Sequence, residues 1–206
     1  MRNLFKKTPL KTAIAFVGAT LLSSGASAFD DIYFFGDSLS DTGNINLLYG
    51  GQAADRFTNG NTVAADVVAA HYGVPIGPSG HLIGQALGNN YAVGGARALD
   101  DDGDETTPDT NLPTQVNSYL TFHGGVADPE ALYMVIMGGN DLFAAQGIRA
   151  GVVAAETGEE RAAIRQAARE SVKTAVKTLE AQVMKLVAAG AQNTCSFLNG
   201  SNTCSS

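Results

Sequence analysis

The chain has 206 residues, with 45% hydrophobic and 16% charged side chains, which suits one domain with a sizeable core and excludes a disordered segment. Four of its 13 Lys/Arg and none of its 20 Asp/Glu fall within the first 28 residues, so the remaining 178 carry a net charge of −11. That balance argues against nucleic acid or an anionic membrane as partner.

Arg2, Lys6, Lys7 and Lys11 precede an apolar run over 13–22, then Ser23, Ser24, Gly25 and the small-x-small site Ala26-Ser27-Ala28. This is the layout of a secretory signal peptide, so 1–28 is expected to be removed and 29–206 to form the domain of a secreted or periplasmic protein. The apolar run is too short for a retained anchor, and no later one is long enough to predict a transmembrane helix.

Residues 31–35 (Asp-Ile-Tyr-Phe-Phe) predict a buried strand ended by Gly36. Val63, Val67 and Val68 predict a helix over 63–72, stopped by Gly73 and Pro75. A second short strand is expected over 90–93, before Gly94-Gly95. Residues 100–109 read as a solvated acidic loop. Asp100, Asp101, Asp102, Asp104 and Glu105 lack the spacing of a calcium loop. A short helix is expected over 114–122, and the strongest strand over 131–137, ended by Gly138-Gly139.

Residues 159–189 predict a long helix, with Val172, Val176, Leu179, Val183, Leu186 and Val187 along one face and Gly190 as its stop. Glu170–Lys173 and Lys177–Glu180 are expected as exposed pairs. Beyond Gly190 the chain is rich in Ser, Asn and Thr and low in strand signal. Cys195 and Cys204 either close a short loop in an oxidising compartment or have no function, and without a nearby His cluster they make no zinc site.

Strands alternating with helices imply a parallel α/β sheet with helices on both faces. In such sheets the site forms at the carboxyl ends of the strands. Ser38, Gly95 and Asn140 each follow a predicted strand and are expected to converge on one edge. Ester hydrolysis needs an oxygen nucleophile, a base, and donors for the oxyanion. Ser38, in a tight turn after a strand and before residues able to begin a helix, suits the nucleophile. Gly95, with no side chain, brings a backbone N–H close to a ligand. Asn140 donates from its amide, or caps a helix, and the two roles are compatible. Asp37 and Asp41 suit turn and cap roles rather than acid catalysis.

Gly36-Asp37-Ser38-Leu39-Ser40-Asp41-Thr42-Gly43 resembles the first block of the GDSL, or SGNH, hydrolase family. Asn90-Tyr91-Ala92-Val93-Gly94-Gly95-Ala96 resembles the second, and Gly138-Gly139-Asn140-Asp141 the third. The three stand in family order. The resemblance implies a flavodoxin-like three-layer α/β/α fold with a parallel sheet. It also implies hydrolysis of small-molecule or lipid esters through an acyl-serine, with no cofactor or metal, and with Ser38, Gly95 and Asn140 as site residues.

The family's last block, Asp-x-x-His, has no counterpart. His71, His81 and His123 all precede the third block, and Val68, Pro78 and Leu120 stand three residues before them. The expectation is a fold incomplete at its carboxyl end, missing a core strand, and an impaired hydrolase. The alternative is a non-catalytic product that retains at most a binding cleft. A phosphate-binding protein is poorly supported: no Lys follows the glycines, and no Gly-x-Gly-x-x-Gly follows a strand.

Overall fold

The computed structural model describes residues 29–51, 56, 58, 61–99, 108–198 and 201–205. The expected signal peptide and most of the acidic loop lie outside the described residues.

Among the described residues, four strands form one sheet in the order β1 (Ile32–Gly36), β2 (Leu132–Ile136), β3 (Asn193–Leu198), β4 (Ser201–Ser205). β1 and β2 pair in parallel from Ile32↔Leu132 to Gly36↔Ile136, and β3 pairs in parallel with β2. β4 returns antiparallel along β3. β1 and β2 are near-continuous apolar runs, as parallel strands covered on both faces require.

Side-chain alternation divides the core in two. Tyr33, Phe35, Tyr133 and Val135 face α3 (Leu112–Phe122) and α5 (Gly158–Ala188), packing with Leu112, Val116, Tyr119, Leu179 and Leu186. Ile32, Phe34, Leu132 and Met134 face the other way, against Val63, Ala65 and Val74 around α2 (Ala64–Tyr72). The result is the expected mixed α/β architecture: a mostly parallel sheet between helices. Among the described residues no helix is long and apolar enough to cross a membrane.

α2 ends as expected at Gly73, which takes the left-handed conformation at φ 70°. α5 starts on a reciprocal cap: Thr157 Oγ1 accepts the Glu160 N–H, and the Glu160 carboxylate accepts the Thr157 N–H, each at 3.1 Å. Its buried seam runs through Ala168, Ala175, Leu179 and Leu186. The expected valine stripe flanks that seam, and Val187 is exposed. The Glu170–Lys173 pair forms at 2.8 Å.

Two expectations are corrected. The stretch 90–93 is not a full strand. Its backbone follows the free edge of β1, with the Tyr91 N–H donating to Phe34 O and the Val93 N–H to Gly36 O, but pairing is confined to a bridge at Asn90. Asn90 Oδ1 accepts the Ala92 N–H at 2.9 Å, a local turn that competes with the ladder. The second correction concerns the region after Gly190. The core strand expected to be missing is present as β3, beside β2. Its partner β4 is joined to it by a disulfide between Cys195 and Cys204, which stand opposite each other in the register. The edge of β2 supplies the pairing that the polar sequence does not advertise.

Candidate active site

Gly36 closes β1. A Cβ on it would lie 2.3 Å from the Ile136 carbonyl oxygen, so β1 and β2 stay paired to their carboxyl ends only because this residue is glycine. The chain then turns sharply. The Ser40 and Asp41 N–H groups both donate to Asp37 O at 3.0 Å, and Asp37 Oδ1 accepts the Leu39 N–H at 3.0 Å. Ser38 sits half-buried within this turn. α1 (Asn44–Leu48) begins after this glycine-flanked turn, as expected, with Gly43 as its N-cap and five residues between Ser38 and its first turn. The carboxylate of Asp41 turns the chain between them, and four N–H groups converge on it.

Asp41 Oδ1 accepts from Gly43 and Asn44, each at 2.7 Å, and Oδ2 from Ile45 at 3.2 Å and Gly94 at 2.8 Å. The last bond fastens the first block to the second. Asn44 adds two more ties, its Nδ2 donating to Asn90 O at 2.7 Å and Ala92 O at 2.8 Å. Asn90 returns one, from Nδ2 to Ser40 O at 2.6 Å. Gly95 follows in an exposed turn at φ 83°, a left-handed conformation that favours glycine.

The third block opens α4 (Gly139–Ala150). Gly138, not Asn140, is its N-cap, and Asn140 is the second helical residue. Asn140 Nδ2 donates to Ala96 O at 2.8 Å. Asp141 Oδ2 accepts the Ala98 N–H at 2.9 Å. The second and third blocks are thereby joined, and Ser38, Gly95 and Asn140 lie at the same carboxyl end of the sheet. Among the described residues, neither the Ser38 N–H nor the Gly95 N–H has an acceptor. The Asn140 amide keeps one of its two N–H groups.

The sequence model of the family described as GDSL-like lipase/acylhydrolase matches residues 32–201. The chain belongs to this family. It is 36% identical over 124 residues to Lipase 1 of Photorhabdus luminescens, covering 59% of this chain and 17% of that protein. It is 30% identical over 166 residues to a GDSL esterase/lipase of Arabidopsis thaliana, covering 63% and 44%. A second GDSL esterase/lipase of that plant is 28% identical over 166 residues, covering 64% and 46%. The chain thus spans less than half the length of each of these relatives.

Within this candidate site of the GDSL-family chain, Asp37 and Asp41 hold the turn and cap positions expected of them. Burial pushes the Asp37 carboxyl above its ordinary range; the Leu39 N–H opposes this and the Asp141 charge adds to it. Gln115 is a positioning residue not read from the sequence. Its Oε1 accepts the Gly36 N–H at 2.8 Å, and its Nε2 donates to Gly36 O at 2.8 Å and Thr110 O at 2.9 Å. Its one sequence signal is a polar residue on the apolar helix row of Leu112, Val116 and Tyr119.

No hydrogen bond joins Ser38 to a histidine among the described residues. His71 is exposed on α2, edge-on to Tyr72. His81 is buried, with Nδ1 2.7 Å from Ser79 Oγ, and burial lowers its pKa to about 4. His123 stacks on Tyr119, with Nδ1 2.8 Å from Tyr119 O.

Proposed function

We propose that the chain is an exported carboxylic ester hydrolase that works through an acyl-serine on Ser38 and turns over slowly for want of a paired base. The observation that carries this reading is the set of three uncommitted donors, the Ser38 N–H, the Gly95 N–H and one Asn140 amide N–H, at the same sheet end as Ser38. Ser38 Oγ attacks the carbonyl carbon of a small-molecule or lipid ester, and the π pair moves onto the oxygen, where the three donors receive it. With no histidine bonded to Oγ, the serine proton passes to water. Collapse of the intermediate expels the alcohol, and water then cleaves the acyl-serine to release the acid and restore Ser38. Export rests on the basic, apolar and small-x-small layout of 1–28.

Loss of one key member of a comparable triad costs about 10⁶ in turnover, while donors and binding alone retain ~10³–10⁴ over water. Slow acyl transfer, abolished in Ser38→Ala, is the expected result with an activated aryl ester. Asn140→Ala is expected to lower the residual rate by ~10²–10³ without changing Ser38 itself. Robust turnover that survives Ser38→Ala would overturn the assignment.

The absence of a histidine bond to Ser38 favours a second reading, a cleft that binds esters without cleaving them. A serine-directed phosphonate probe separates the two. Covalent labelling at Ser38 supports the hydrolase, and no label after long exposure supports the binding cleft.

A further inference from the structure

A groove of about 530 Å³ runs between α4 and α5, starting two residues beyond Asn140. Its volume falls in the range of small-ligand pockets. The floor is apolar: Leu142 and Ala145 from α4, Ala168 and Val172 from α5. The rim is cationic: Arg149 from the last turn of α4, and Arg165, Arg169 and Lys173, which recur every four residues along α5. Side chains four apart lie on one face of a helix, so these three form a row beside the floor.

Lys173 is shared with Glu170 at 2.8 Å. Arg149, Arg165 and Arg169 have no carboxylate partner and donate no hydrogen bond among the described residues. Such a cluster stands out in a chain with 20 acidic residues. Guanidinium groups suit a carboxylate because their planar fork matches its two oxygens.

We propose that this groove binds a long-chain carboxylate, with the alkyl chain on the Leu142, Ala145, Ala168 and Val172 floor and the head group between Arg149, Arg165 and Arg169. The apolar floor distinguishes this occupant from a bare inorganic anion, which would gain nothing from it. Glu159 and Glu160 at the start of α5, and Glu170 and Glu180 along it, would repel an extended acidic peptide laid on the same helix. The proposal stands apart from the hydrolytic reading, since no groove residue belongs to the Ser38 site.

Calorimetric titration of the purified chain with dodecanoate, below its aggregation concentration, tests it. Dodecanoate is expected to bind at least tenfold more tightly than dodecanol and than acetate. R165E/R169E is expected to weaken dodecanoate binding at least tenfold, with R165Q/R169Q read in its place if the charge reversal disturbs folding by circular dichroism. Equal binding of dodecanol, equal binding of acetate, displacement by a Glu-rich peptide at similar concentration, or an unchanged affinity in both double variants would each overturn the proposal.

Discussion

Asp41 draws N–H groups from Gly43, Asn44, Ile45 and Gly94 onto one carboxylate, so one side chain shapes the serine turn and places the second block against it. Asn44, Asn90 and Gln115 do the same from buried positions, each satisfying backbone groups that a curved loop leaves unpaired. This is why the site rests on polar residues that do no chemistry themselves. Gly36 is the steric counterpart. Gly36→Ala sets a methyl group against a backbone oxygen that no rotamer change can move. It is expected to destabilise the fold by about 3 kcal/mol, toward the upper end for overpacking. Urea unfolding against the parent chain measures this, and a change below about 1 kcal/mol would mean that the strands separate freely there.

At the scale of elements, the β3–β4 hairpin depends on its cross-link. The strand sequences are short and polar, and Cys195 and Cys204, nine apart, close a small loop. A loop of that size is worth about 2–3 kcal/mol by the chain-entropy account. Reduction is therefore expected to lower Tm by roughly 4–12 °C, measured with and without dithiothreitol. An unchanged Tm would show that the hairpin adds nothing to the cooperative unit.

The same hairpin marks the limit of what was legible. β1 and β2 announce themselves because burial on both faces demands runs such as Ile-Tyr-Phe-Phe and Leu-Tyr-Met-Val-Ile. β3 is hidden because its strand character comes from the open edge of β2 and from a covalent partner, neither of which appears in local composition. α4 is hidden for another reason: Gly138-Gly139 reads as a turn, and the helix begins inside it. The candidate-site blocks were legible because each sets a turn glycine beside a reactive hydroxyl, a side-chain amide or a backbone N–H left open by the glycine itself. Gln115 was not, since its partner Gly36 lies 79 residues away.

For the whole molecule, the response to acid follows from buried groups. His81 is 8% exposed, its Nε2 has no partner among the described residues, and burial lowers its pKa from 6.5 to about 4. Below pH 6.5 the unfolded chain takes up a proton that the folded chain refuses. The stabilising contribution is thus complete above pH 6.5 and is lost as pH falls toward 4, on the order of 3 kcal/mol. Asp37 acts in the opposite sense. Its raised folded pKa makes the folded chain take up a proton first, which favours folding as pH falls. His81→Gln isolates the histidine: the loss of unfolding free energy between pH 7 and pH 4 is expected to shrink relative to the parent. Parallel pH curves for the two proteins would assign the acid sensitivity elsewhere.

The Cys195–Cys204 link also decides how the molecule carries load. A pull on Ser205 does not unzip the β3–β4 hydrogen bonds one by one. Tension crosses the sulfur bridge and enters the sheet at Cys195, opposite Met134 in β2. The load thus reaches β3 near its amino end, at the Cys195–Met134 pair, and bypasses the β3–β4 ladder.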